Sequence, residues 1–157
     1  MKDGFCSTLI LSPPGGGKTT LLRECVRRLS DHGLRISLMD ERGEIAAVQN
    51  RTPQFDVGAN TDVMTGGQKA ACCMMLLRAM RPDVLAFDEI SAPEDIEAIR
   101  IAAGCGVALL ATAHAQSVAA LRHRALYRAL LDEHIFRRAV CITRSDGERV
   151  YTVEDLT

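Results

Sequence analysis

What this 157-residue sequence lacks narrows its class before any motif is read. It has no long apolar run. The longest stretch of small or apolar residues, Gly104–Ala113, is ten residues, about half of the roughly 20 that a helix needs to cross a bilayer, so no direct membrane insertion is expected. It has no excess of either charge: 19 Lys+Arg stand against 20 Asp+Glu, a formal net charge of −1. Without a global positive field, nucleic acid is a poor candidate partner. It has six cysteines but no Cys-x-x-Cys pair, and Cys72 and Cys73 are adjacent in an apolar stretch. They read as small hydrophobes in a reducing cytosol rather than as zinc ligands or a disulfide framework. The opening Met1-Lys2-Asp3-Gly4-Phe5-Cys6 carries an early acid and no apolar core, unlike a secretory signal. Lysine is scarce as well, three residues against sixteen arginines.

What is present suffices for one packed domain. Hydrophobic residues make up 47% and charged residues 25%, enough to build a core and too apolar for disorder. No repeat, linker or low-complexity segment interrupts residues 1–157. Ser7–Leu11 reads as a strand. From Lys18 a helix is expected, with Leu21, Leu22, Cys25, Val26 and Leu29 on one stripe, stopped by Gly33. Leu34–Met39 reads as a strand, residues 51–67 as a long loop, and Gln68–Met80 as a helix with Met74 and Met75 facing the core. Val84–Phe87 is a continuous apolar run of the kind buried on both sheet faces. Ser91 and Glu94 have capping-box spacing ahead of a helix through Ile96 and Ile99. Val107–Ala111 is another buried strand, residues 117–131 one amphipathic helix, and residues from Ile135 onward a hairpin turning at Ser145-Asp146-Gly147. Strands alternating with helices imply an α/β fold, a mainly parallel sheet covered on both faces.

The motif with most chemical content is Ser12-Pro13-Pro14-Gly15-Gly16-Gly17-Lys18-Thr19. It matches the phosphate-binding P-loop, or Walker A, pattern G-x-x-x-x-G-K-[ST], with Ser12 in place of the first glycine. Small residues let successive backbone N–H groups wrap a phosphate, and a helix beginning there adds its dipole. The expected nucleotide-binding residues are Pro14, Gly15, Gly16, Gly17, Lys18, Thr19 and Thr20. Lys18 reaches the outer phosphates, and the Thr19 hydroxyl ligates Mg²⁺. Asp88-Glu89, at the end of a buried strand, has the Walker B arrangement. Asp88 is expected to hold Mg²⁺ and Glu89 to polarise a water for attack on the γ-phosphate. His114 ends the next strand, where a polar residue can sense the γ-phosphate. Asp40-Glu41 ends the second strand and makes Glu41 a rival for water activation. Arg42, Arg51, Arg78 and Arg81 flank acidic segments and are candidates for an arginine contributed to a neighbouring subunit. The arginines from Arg122 to Arg149 read as a solvated face or a partner surface.

These residues together resemble the ATPase domain of the stage III sporulation protein AA family. The stretches that carry the likeness are Ile10–Arg23, Met39–Ala46, Pro53–Gly58, Leu77–Ile90, Ala111–Ala115 and Phe136–Arg138. More distantly the chain is similar to type II and type IV secretion and pilus ATPases, where Asp40-Glu41 corresponds to the Asp box and Thr112–Ala115 to the His box. The resemblance implies a RecA-like P-loop core with a C-terminal β-hairpin, acting on ATP with Mg²⁺ as part of a homo-oligomeric, hexameric ring. It also implies a cytoplasmic location, peripheral at the inner face of a membrane, and a membrane-complex protein partner. The family carries a further N-terminal domain, absent from these 157 residues. Two departures stand out: Asp88 replaces the glycine that secretion relatives commonly place before the Walker B glutamate, and Ser91-Ala92-Pro93-Glu94 replaces their acidic-basic continuation.

The reading that follows is a Mg²⁺-dependent ATPase motor that powers or assembles a sporulation or secretion-type membrane complex. A nucleotide-dependent assembly module with little hydrolysis is the alternative. A small-molecule kinase fits less well, because the Walker B glutamate and the downstream histidine have no place in it, and a DNA-dependent motor suffers from the balanced charge.

Overall fold

The computed structural model describes residues 4–157; the N-terminal reading that rested on Met1, Lys2 and Asp3 lies largely outside the described residues. The chain runs β1 (Thr8–Ser12), α1 (Lys18–Asp31), β2 (Ile36–Asp40), β3 (Val48–Gln49), β4 (Thr52–Pro53), β5 (Thr61–Thr65) and α2 (Lys69–Met80). It continues with β6 (Val84–Phe87), α3 (Pro93–Gly104), β7 (Ala108–His114), α4 (Val118–Arg122), α5 (Ala125–Asp132), β8 (Arg138–Ser145) and β9 (Glu148–Asp155). Seven strands form one sheet in the order β5-β2-β6-β7-β1-β8-β9. All neighbours are parallel except β8 and β9, which are antiparallel. The sheet is therefore α/β with a C-terminal hairpin, as the alternation of elements required.

The central strands are buried on both faces, and their side chains divide by period two. Leu9 and Leu11, Leu85 and Phe87, and Leu109, Ala111 and Ala113 pack into one core with Leu76, Ile99, Leu121, Tyr127 and Leu130 of α2 to α5. Ile10, Val84, Ala86 and Leu110 point the other way, onto Leu22 and Val26 of α1 and onto Ile45, Ala46 and Val57. One helix and a loop thus cover one face, and four helices cover the other.

Several expectations are corrected. The segment 51–67 is not all loop: Thr61–Thr65 forms the edge strand β5, paired along β2. Its residues are only half buried, so no apolar run marks it. Residues 117–131 form two helices, parted at His123-Arg124. The cap of α3 is not the Ser91–Glu94 pair; the buried Asp95 carboxylate accepts from the N–H groups of Ser91 (2.9 Å) and Ala92 (3.0 Å). Met75 is 59% exposed, because α2 turns Cys72, Cys73 and Leu76 inward. The hairpin turn is two residues, Asp146 (φ 52°) and Gly147 (φ 83°), both left-handed as the strand twist demands of so short a connection. All six cysteines are free thiols. Among the described residues no helix is long and apolar enough to cross a membrane.

Candidate functional site

Topology brings the motifs together. β7 lies between β1 and β6, so the C-terminal ends of the strand before the Gly-rich loop, the strand bearing His114 and the strand before Asp88-Glu89 are neighbours. Ser12 pairs across from His114, and Phe87 pairs with Ala111. This is the sheet edge where open α/β folds bind ligands.

The loop from Pro13 to Gly17 folds tightly on itself. Ser12 is buried, its hydroxyl donates to the Pro13 carbonyl (2.7 Å), and Gly16 N–H donates to the same carbonyl (3.1 Å). A Cβ on Gly16 would lie 2.3 Å from Ser12 Oγ, so residue 16 has no room for a side chain. Gly17 takes φ 101° and begins α1 without any side-chain cap. The first N–H groups of a helix have no acceptor inside it, and those of α1 face this loop with no acidic residue in the first turn. Such an end can hold an anion. Pro14, Gly15 and Thr20 are exposed around it, and Thr19 is half-buried.

Behind the loop, Lys18, His114 and Glu89 form a chain of contacts. Lys18, only 7% exposed, places Nζ 2.9 Å from His114 Nδ1. His114 Nε2 lies 3.2 Å from Glu89 Oε2. An ammonium can only donate, so Nδ1 accepts and Nε2 carries the hydrogen that faces the Glu89 carboxylate. Burial lowers the Lys18 pKa from its usual 10.5, opposed by the nearby Asp88 and Glu89 charges. Asp88 accepts a hydrogen bond from the buried Thr112 hydroxyl (2.8 Å), which fixes one carboxylate oxygen. Thr19 and Asp88 offer a hydroxyl and a carboxylate, hard oxygen donors of the kind Mg²⁺ takes.

The Asp40-Glu41 pair is split. Asp40 is buried and accepts from the N–H groups of Ile45 and Ala46 (2.8 Å for the latter), so it shapes the turn after β2. Glu41 is exposed and lies 3.7 Å from Lys69 Nζ. Arg42, Arg51, Arg78 and Arg81 are all on the surface. Two arginines from the set read as a solvated face or partner surface, both exposed, also lean on the site. Arg124 donates to the His114 carbonyl (2.8 Å) and stacks on the Tyr127 ring. The Arg149 guanidinium, from the hairpin, lies over Gly17 so closely that a Cβ there would be 3.0 Å from its central carbon. Nothing in the local sequence marks either residue, because both depend on how α4, α5 and the hairpin pack. A cavity of about 930 Å³ opens at the opposite sheet edge, lined by Ser7, Arg35, Asp83, Val107 and His134 among others, and none of the motif residues borders it.

The family model described as "Sporulation stage III, protein AA" matches residues 1–154. The chain belongs to this family. Over 152 residues it is 36% identical to stage III sporulation protein AA of Bacillus subtilis, a match that covers 93% of this chain and 49% of that protein. The chain therefore spans about half the length of this family member. It is also 30% identical over 119 residues to the protein SEEDLING PLASTID DEVELOPMENT 1 of Arabidopsis thaliana, covering 74% of this chain and 17% of that one. Among solved structures it is similar to the VirB11 ATPase of the Brucella suis type IV secretion system, with a TM-score of 0.68 at 16% identity, over 96% of this chain and 48% of that chain. The Legionella pneumophila ATPase DotB gives 0.65 at 20% identity, over 94% of this chain and 44% of that chain. At such identities the likeness is one of fold: this family member has the fold of the secretion ATPases.

Proposed function

We propose that this sporulation stage III AA family chain is a Mg²⁺-dependent ATPase domain of RecA-like type, spanning residues 1–157, that powers or assembles a membrane-associated complex. The single observation that carries the reading is the contact chain Lys18–His114–Glu89, which joins three separated motifs at one sheet edge beside an uncapped helix N-terminus. The N–H groups of Gly15 to Thr20 receive the nucleotide phosphates, and Lys18 turns from His114 to the outer ones. Mg²⁺, held by Thr19 and Asp88, supplies charge neutralisation at the phosphates. Glu89 orients the attacking water and takes up its proton. His114, bonded to both Lys18 and Glu89, transmits the change when Lys18 shifts partner. Glu41, near the same edge, is the competing base.

Arg42, Arg51, Arg78 and Arg81 are exposed and so accessible to a neighbouring copy, in keeping with a homo-oligomeric ring, hexameric by family resemblance. A cytoplasmic position at the membrane face, with a membrane-complex protein as partner, follows from the same resemblance. The second reading, in which Lys18 and Glu89 stay on His114 when nucleotide binds, is a module that binds ATP and hydrolyses little.

Mg-ATP turnover measured against protein concentration tests both. Specific activity that rises with concentration and disappears in Glu89→Gln, but not in Glu41→Gln, supports the ATPase with a site completed between copies. Flat background turnover with intact nucleotide binding supports the assembly module. Unimpaired turnover in Lys18→Ala would sink the ATPase reading.

A further inference from the structure

Both described lysines are buried, and the second belongs to no motif. Lys69 is the first residue of α2, where the helix dipole opposes a positive charge. It is 8% exposed. A cation in that position is retained only with partners, and Lys69 has four. Its Nζ donates to the Glu89 carbonyl and to Ser91 Oγ (3.2 Å). It pairs with Asp95 Oδ2 at 3.1 Å and with Glu41 Oε2 at 3.7 Å. Asp95, itself 4% exposed, uses the same oxygen to hold the N–H groups of Ser91 and Ala92.

The five residues between β6 and α3, Asp88 to Ala92, belong to no regular element, yet their backbone is held at several points. Ile90 N–H donates to the Thr112 carbonyl (3.1 Å), and the Tyr127 hydroxyl donates to the Ile90 carbonyl. Lys69 supplies a further anchor, on the carbonyl of Glu89 itself. The direction of a side chain follows the orientation of its own peptide units. With that carbonyl held by Lys69 in α2, the Glu89 carboxylate meets His114 Nε2 in β7.

We propose that Lys69, with Asp95 as its counter-ion, is the positioning residue for Glu89, aiming its carboxylate at the reacting water without touching the nucleotide. The inference rests on Glu89 being the base of the ATPase reading. Misplacing a catalytic group by about 1 Å can cost on the order of a hundredfold in rate, so loss of the anchor is expected to appear in kcat and not in binding.

The test compares the parent chain with Lys69→Met, Lys69→Arg and the double variant Lys69→Met/Asp95→Asn, which buries no unpaired charge. Each is measured for kcat with Mg-ATP, for affinity towards a fluorescent ADP analogue and for its thermal midpoint. The double variant is expected to melt cooperatively, to bind ADP within about twofold of the parent and to lose at least about tenfold in kcat. Lys69→Arg is expected to recover part of that loss, since it restores a donor. A folded double variant with parental kcat, in a chain whose turnover Glu89→Gln still abolishes, overturns the positioning role and leaves the ATPase reading standing. A kcat loss matched by an equal loss of ADP affinity overturns it as well, since the site as a whole would then have collapsed. A parent chain that binds nucleotide without turning it over, or binds none, removes the base on which Lys69 acts and overturns both.

Discussion

Gly16→Ala tests the construction of the loop, because it adds one methyl group where the structure leaves no space. Gly16 is not in the left-handed region, so alanine meets no backbone penalty there and the effect is purely steric. The new Cβ would lie 2.3 Å from Ser12 Oγ, 2.6 Å from Ser12 Cβ and 3.0 Å from the Pro13 carbonyl oxygen. Ser12 is itself buried at the end of β1 and paired with His114, so moving its backbone disturbs the pairing of β1 with the strand that carries His114. Overpacking of this kind costs about 1–3 kcal/mol, or roughly 2–4 °C in Tm per kcal/mol for a chain of this size. Nucleotide affinity should fall with it. Ser12→Gly removes both of the atoms in closest conflict, so Ser12→Gly/Gly16→Ala should recover most of the lost stability and affinity, less about 0.5–1 kcal/mol for the freedom of the new glycine. Thermal unfolding and titration with a fluorescent nucleotide read both quantities. Gly16→Ala with parental Tm and affinity, or a double variant no better than the single, would show that the loop does not close as described.

Four further outcomes are expected. Burial lowers the Lys18 pKa from 10.5, and phosphate binding needs the charged form, so affinity should begin to fall at a lower alkaline pH than for an ordinary lysine. The same shift has a stability consequence of definite sign: between the lowered folded value and 10.5 the unfolded chain holds more protons, so this group's contribution to stability improves as pH rises through that window, and the stability of the parent relative to Lys18→Met should rise with pH there in denaturant unfolding. The Tyr127 hydroxyl, pushed up to about 12 mainly by burial, donates to the Ile90 carbonyl; Tyr127→Phe leaves that acceptor unpaired and should cost about 1–3 kcal/mol in urea unfolding, whereas an unchanged midpoint would mean the carbonyl finds another donor. Burial also raises the Cys73 thiol to about 12, while Cys105 is exposed, so brief iodoacetamide treatment of the folded chain should label Cys105 well before Cys73 by peptide mass mapping.

The local patterns set out in the sequence were enough for the architecture. Val84–Phe87 is uninterruptedly apolar because both of its faces are buried, and Gly15–Gly16–Gly17 followed by Lys18 marks a loop running into a helix. Such signals depend on residues a few positions apart, and they placed β1, α1, β6, β7 and the closing hairpin within a few residues of where they lie. The elements that escaped are those whose burial is partial or whose signal is shared. β5 is a half-buried edge strand among glycines, and the break at His123-Arg124 interrupts a stripe that stays apolar across it.

What the sequence by itself determined is therefore the class of fold, the family and the set of residues, Lys18, Asp88, Glu89 and His114, that the chain delivers to one sheet edge. Each is announced by its own neighbours along the chain. Only the tertiary structure decided what those residues touch: that Lys18 meets His114, that Asp40 is spent on the turn after β2, and that Arg149 lies over Gly17. It alone revealed Lys69, which sits 20 residues before Glu89 in an otherwise ordinary helical segment. A buried ammonium takes its partners from whichever elements converge on it, and that convergence is a property of strand order and helix packing, which no local pattern of residues encodes.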